Sequence, residues 1–249
     1  MTPKKIIKGL IPNSVLQIIE NYLAKKHLEQ KYKGMTTQQV FTKIYEEGAW
    51  SGKSMDPSQK FCSGLGSHDT NIVSEYIKSI QSFLDSFDKK QNVVDLGCGD
   101  FFVGSRIRSL CDNYTACDIV PNLIAFNKEK YKELNVDFQV LDLTEDELPK
   151  GDIVFIRQVL QHLSNRHIKN AIPRISGNYK FLVLTEHLPK HKDFKQNLDK
   201  PAGSDIRLSI GSGLVLTKPP FNLRVVDERV LCEVPQFGGI IRTTVYTLS

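Results

Sequence analysis

The sequence predicts an α/β fold. It should be a doubly wound, mostly parallel, seven-stranded sheet that ends in an antiparallel hairpin, with an N-terminal helical extension. Three observations predict it. From Phe83 onward, five short apolar runs alternate with helix-like segments. Each run is five or six residues long and nearly continuous, which suits strands buried on both faces. The last two runs of the chain are joined by a gap too short for a crossover helix.

Residues 1–82 form the extension. Residues 1–34 hold seven lysines and two glutamates, so the net charge of +5 sits there and the remainder sums to zero. Val15, Leu16, Ile18, Ile19 and Leu23 give this segment an amphipathic helical pattern. Two roles suit such a helix: packing on the domain, or peripheral contact with an anionic membrane surface through Lys4, Lys5 and Lys8. A neutral body speaks against nucleic acid as a partner. Residues 48–69, GAWSGKSMDPSQKFCSGLGSHD, are rich in Gly and Ser and read as a cofactor lid. Trp50, the single tryptophan, either stacks on cofactor or substrate or pins the N-terminal helices. His68 sits in the same lid. The five cysteines show no C-x-x-C pair, and the uncharged stretch 9–19 is too short to span a bilayer. A reducing, cytoplasmic location is therefore expected.

Residues 83–249 form the main domain. Strands are expected at 91–96, 114–119, 136–141, 152–156 and 180–185, with helices at 104–110, 122–134 and 164–175. Residues 223–234 and 240–248 form the hairpin. Residues 186–222 are a long polar insertion that starts at a strand's carboxyl end. Ligands of open α/β sheets bind at such ends, so the insertion should cover the site.

The first strand runs into DLGCGDFFVG, Asp95 to Gly104. Its spacing, Gly97-x-Gly99, lacks the third glycine of a dinucleotide fingerprint, because Phe102 stands there. Asp95 and Asp100 flank the glycines. One such carboxylate beside a phosphate costs about 4 kcal/mol at ~4 Å and an effective dielectric near 20. The loop therefore suits a cationic ligand better than a pyrophosphate. S-adenosylmethionine offers an ammonium and a sulfonium. Asp118 ends the second run, nineteen residues after Gly99, where a carboxylate can accept both ribose hydroxyls. Asp142 ends the third, within reach of an adenine amino group. Each acid has a local alternative: orienting loop amides, capping the next helix, or shaping a turn.

DLGCGDFFVG, CDIV, LDLT and DIVFIRQVLQHLS resemble, in order and spacing, the motifs of the class I S-adenosylmethionine-dependent methyltransferases. The resemblance covers roughly residues 90–185 and implies a Rossmann-like sheet ending in the same hairpin. It places Asp95, Gly97, Gly99 and Asp100 at the methionine end, with Arg157 and Gln158 nearby. It places Asp118 at the ribose, with Ile119 beside it in the cofactor site, and Asp142 with Leu143 at the adenine. IYEEGAW…GLGSHD, TEHLP and NLDKPAGSDIRL…GSGLVLTKPPFNL are similar to a narrower set, the methyltransferases of bacterial capsule, lipopolysaccharide and other sugar-modifying loci.

Methyl transfer to a hydroxyl calls for a positioned base, and histidine is the natural choice. His162 follows the fourth strand and His187 the fifth. Plant O-methyltransferases carry a catalytic histidine near the first of these, in a register that falls on His162 or on Gln161. Glu186 adjoins His187 but should point the other way along an extended chain. Glu186, Asn197, Asp199, Lys200 and Arg207, with Asp205, are the candidate acceptor contacts. His187, Asp193 and Asp199 match no metal-binding spacing, and no metal is expected. The expected function is O-methylation of a sugar or surface-glycan intermediate. The alternatives are a small-metabolite or phosphoryl-linked acceptor, or a non-catalytic S-adenosylmethionine-binding subunit.

Overall fold

A computed structural model describes residues 28–51 and 60–249, together with Ile19, Tyr22, Leu23 and Lys26. Most of the basic amphipathic segment, Lys4, Lys5 and Lys8 included, lies outside the described residues. Within it, Ile19 and Leu23 are exposed.

Helix α1 (Thr37–Glu46) begins at a capping box, in which Thr36 and Gln39 satisfy each other's backbone N–H groups. Val40, Phe41 and Ile44 form its buried face. A short α2 (Leu65–His68) leads into α3 (Thr70–Leu84), whose N-cap Asp69 accepts from the amides of Asn71 and Ile72. Ile72, Val73, Tyr76, Ile80, Phe83 and Leu84 recur at helical spacing and are buried against the sheet's core.

The sheet strands are β1 (Val93–Leu96), β2 (Tyr114–Asp118), β3 (Asp137–Val140), β4 (Ile153–Arg157) and β5 (Phe181–Pro189). Between them lie α4 (Gly104–Ile107), α5 (Pro121–Lys130) and α6 (Asn165–Asn178). The insertion carries two short strands, β6 (Lys195–Gln196) and β7 (Ser212–Gly213), paired with each other. The chain closes with β8 (Val225–Gln236) and β9 (Gly239–Leu248). The order across the main sheet is β3-β2-β1-β4-β5-β9-β8, parallel up to β5 and antiparallel beyond. Seven strands in this order are the predicted Rossmann-like architecture. Strand order reverses between β1 and β4, so the crevice opens above their carboxyl ends. Alternate side chains feed two apolar layers: Val94, Leu96, Val154 and Ile156 enter one, and Val93, Ile153 and Phe155 the other.

The element bounds differ from expectation in instructive ways. β5 runs to Pro189 because β9 pairs with it all the way to Gly239. The 186–222 insertion therefore starts inside a strand. β8 likewise extends to Gln236, which leaves only Phe237 and Gly238 in the hairpin loop. The helices expected at 104–110 and 122–134 end early, each followed by a 3-10 turn, at Arg108–Leu110 and Lys132–Leu134. β8 is a sheet edge, and two register shifts interrupt its pairing with β9.

Candidate active site

A cavity of about 510 Å³ opens over the carboxyl ends of β1, β2 and β4. Its floor is the glycine loop. The N–H groups of Gly97 and Cys98 both donate to the Cys117 carbonyl, and Gly99 N–H donates to Asp118 Oδ2 at 3.1 Å. Gly97 has φ of 83°, and a Cβ there would collide with Val159. Only glycine allows this turn to lie so close to the segment after β4. Asn127 Nδ2 donates to the Gly99 carbonyl at 2.7 Å and anchors the loop from α5.

Asp95, Asp100, Asp118, Asp142, Ile119, Leu143, Arg157 and Gln158 all line this cavity, as do Gly97, Gly99 and Trp50. Burial pushes the Asp95 carboxyl up to about 7, against a stabilising 2.9 Å bond from the Tyr114 hydroxyl. Burial raises Asp118 to about 6, partly offset by the Val120 and Gly99 amides that donate to it. Asp142 Oδ1 accepts from the Thr144 amide and hydroxyl. Its turn role and its place in the cavity therefore coexist.

Asp100 also bonds to the lid. Its carboxylate accepts from the amides of Ser63 and Phe102, and Oδ2 lies 2.6 Å from His68 Nε2. Ser63 Oγ in turn accepts from the Asp100 amide at 2.8 Å. The carboxylate thus holds the lid to the loop while it also lines the cavity. Arg157 holds the other flank, donating to Gly66 O at 2.6 Å and to Ser67 Oγ at 3.1 Å, with its guanidinium over the Tyr76 ring. Cys62, His68 and Asp100 also bring a thiol, an imidazole and a carboxylate within 4.8 Å of one another. The direct contact between His68 and Asp100 already joins two of the three.

Both candidate histidines line the cavity, and Gln161 joins them. Gln161 Oε1 accepts from the His187 amide at 3.1 Å, so its Nε2 faces His162 Nε2, 3.4 Å away. His162 Nδ1 lies 3.2 Å from the Gly203 carbonyl and must carry the proton it donates there. Both ring nitrogens of His162 are therefore engaged. Burial and nearby Lys200 push His162 down to about 3, so it stays neutral. Its ring packs 5.0 Å from Trp50, whose Nε1 donates to Ser204 O. His187 is arranged differently. Its Nε2 donates to Gln236 O at 3.0 Å, which leaves the Nδ1 lone pair without a protein donor among the described residues. Burial lowers its pKa.

Of the six expected acceptor contacts, Asp205 lines the cavity and the other five do not. Glu186 pairs in register with Arg242 on the opposite face of β5 from His187 and Ile241. Neither of its buried oxygens makes a close hydrogen bond among the described residues, and burial raises it to about 8 against the lowering effect of Arg207 and the Gln161 backbone. Asn197 donates to the carbonyls of Val215 and Pro219 and accepts from Val215 N–H. Asp199 accepts from the amide of Asn165, the first residue of α6. Lys200 Nζ donates to His162 O and Pro201 O. Arg207, 1% exposed, donates to Leu160 O, Leu163 O and Asn165 Oδ1. Lys200 and Arg207 thus donate to three carbonyls of the turn after β4, those of Leu160, His162 and Leu163. The insertion reaches the cavity instead through Ser204, Asp205, Ile206 and Ser209.

Sequence reasoning passed over Tyr45, Ser63 and Phe237, which also line the cavity. Ser63 lay in a stretch already read as lid. Phe237 stood in the hairpin gap, and its position two residues from a strand end was the available signal.

The floor is suited to the expected cofactor by its own features. The cavity volume falls within the usual range for small-molecule sites. Two buried groups of residues that line it, Arg157 Nε and Gln158 Nε2, have no hydrogen-bond partner among the described residues. Buried carboxyls around it would ionise more readily beside a cation.

Residues 93–180 match the family described as "Methyltransferase domain". The malonyl-[acyl-carrier protein] O-methyltransferase of Acetivibrio thermocellus is 32% identical over 94 residues, which are 34% of this chain and 32% of that protein. A methyltransferase of Invertebrate iridescent virus 6 is 29% identical over 149 residues, 56% of this chain and 54% of that protein. The chain thus spans about a third to a half of these curated relatives. Among solved structures, the magnesium protoporphyrin IX methyltransferase of Synechocystis PCC 6803 with bound S-adenosylmethionine aligns at a TM-score of 0.55. It is 14% identical, and the alignment covers 87% of this chain and 99% of that one. At that identity the likeness is one of fold. Together with the glycine loop and the acids at successive strand ends, these matches make residues 93–180 similar to a methyltransferase domain, on a fold shared with an S-adenosylmethionine-bound enzyme.

Proposed function

We propose that the protein O-methylates a neutral, hydroxyl-bearing acceptor, a sugar or surface-glycan intermediate, with His187 as general base. The arrangement of His187 carries this reading. It is a cavity-lining imidazole with one nitrogen fixed as donor and the other left to accept. When bound, the cofactor supplies an electrophilic methyl group and a neutral thioether leaving group. The chain's part is to hold the hydroxyl in line, exclude water and take its proton at His187 Nδ1. Gln161 and Gln236 fix the position of that ring through the backbone amide and Nε2. His162 is a positioning residue that braces Trp50 and the 203–205 turn.

The electrostatics favour an uncharged acceptor over a phosphoryl-linked one. Arg157 is the one lysine or arginine among the described cavity residues, and it is bound to the lid. Lys200 and Arg207, the cations of the insertion nearest the turn after β4, are committed to carbonyls and Asn165 beneath the site. The likeness of TEHLP and NLDKPAGSDIRL to methyltransferases of capsule and lipopolysaccharide loci supports a glycan. An acceptor on a membrane-borne glycan would also suit the basic N-terminal segment.

The test follows labelled methyl from S-adenosylmethionine onto neutral and phosphorylated sugars, with wild type and His187→Gln. Neutral sugars should be methylated by wild type, and the variant should lose about 10²–10⁴-fold in kcat. Transfer to phosphorylated acceptors alone, or an unimpaired variant, would reject the reading.

A further inference from the structure

The hairpin loop between β8 and β9 is two residues long, Phe237 and Gly238, with Gln236 paired to Gly239. Both loop residues have positive φ, 46° and 75°. Such a turn favours Asn, Asp or Gly at its first position, and a bulky aromatic there is strained. Phe237 also gains little from burial, being 53% exposed. Neither its backbone preference nor its hydrophobicity accounts for it.

The other non-glycine residues with positive φ help to place it. Asn135, Asn197 and Asn222 are of the type that tolerates this conformation. Phe101 is wholly buried among Tyr114, Tyr131 and Phe138. The remaining two, Gln158 and Phe237, both line the cavity. Backbone strain of this kind persists where function requires it. The Phe237 ring lies 6.2 Å from that of His187, the proposed base, and Ile241 and the exposed Leu65 of the lid share the cavity wall.

We infer that Phe237 is an acceptor-specificity residue. It is an aromatic wall beside the base that takes the flat apolar face of the molecule whose hydroxyl is methylated. The C–H face of a pyranose or an aromatic ring would fill it. The inference rests on the proposed reading for the identity of the base, but it concerns a contact that can be measured without turnover.

The test uses the full chain saturated with S-adenosylhomocysteine. Methyl β-D-glucopyranoside, phenyl β-D-glucopyranoside and hydroquinone are titrated as probes, with binding followed by NMR. Phe237→Asn, which creates the favoured Asn-Gly turn, should melt at or above the wild-type temperature. It should bind the best probe about five- to tenfold more weakly. Phe237→Tyr should restore that affinity, and the Kd for S-adenosylhomocysteine should be unchanged in both. A Phe237→Asn protein that melts lower, or binds the probes as wild type does, overturns the inference, as does a wild type that binds none. Binding of the glucosides without dependence on Phe237 would refute this role and leave the sugar reading standing. Phe237-dependent binding of hydroquinone alone would refute the sugar and leave the role standing.

Discussion

The floor and the roof of the cavity are built by different means. The floor is a set of strand ends, Asp95, Asp118, Asp142 and Arg157, placed by parallel pairing of neighbouring strands. The roof comes from separated segments joined by long-range bonds: Ser63 to Asp100 across 37 residues, Gly66 to Arg157 across 91, Trp50 to Ser204 across 154. A floor made by the sheet is as rigid as the sheet. A roof held by a handful of hydrogen bonds, each worth about 0.5–1.5 kcal/mol net, can part and re-form. On the proposed reading, cofactor recognition falls to the stiff region and acceptor recognition to the adjustable one.

That contrast can be broken at either side. The largest effect is expected at the base. His187→Gln should cut kcat about 10²–10⁴-fold with cofactor affinity intact, whereas His162→Ala should mainly raise the acceptor KM and lower the melting temperature. The pH profile sharpens this. His187 accepts a proton only when neutral, and burial lowers its pKa, so the acid limb of kcat should lie below the ordinary imidazole range. His162→Ala should keep that acid limb, and its disappearance there would move the base to His162.

Next comes the floor. Gly97→Ala meets Val159 and a positive φ, and should weaken S-adenosylhomocysteine binding by more than tenfold in a titration. Equal affinity would show the loop to be as adjustable as the roof. A smaller effect is expected at the latch. Asp100→Asn should raise the dissociation rate of S-adenosylhomocysteine about three- to tenfold while sparing its association rate. A loss confined to association would make Asp100 a cation reader and not a latch.

The smallest effect lies outside both regions. Glu186 is raised by burial from its ordinary value to about 8, so the fold favours its protonated form. Stability should therefore be undiminished below about pH 4.5 and decline as pH rises toward 8. Glu186→Gln should melt a few degrees above wild type at pH 8.5 and level with it near pH 5. A gap that does not change with pH would show that the carboxyl is ionised and compensated.

The floor was the legible part. Strand identity, the glycine loop and the acids at 95, 118 and 142 each announce themselves within about ten residues, because a buried parallel strand and the turn after it are local patterns. The ends of β5 and β8 were missed because pairing with a partner, not composition, extends them. Asp100, Asn197, Lys200 and Arg207 show why the roof was harder. A polar side chain near a site can face the ligand or an unpaired carbonyl, and only the folded chain decides. The same holds for the choice between the histidines. It depends on Gln161, 26 residues from His187 in sequence, which occupies one imidazole and leaves the other available.

Asp100 and Arg157 have one more consequence. They clasp the lid on opposite flanks of the same cavity, in the path of a departing nucleoside. Opening of the lid is then a step that every later round must include. Loosening either clasp should quicken the later rounds of a time course while leaving the first round unaltered.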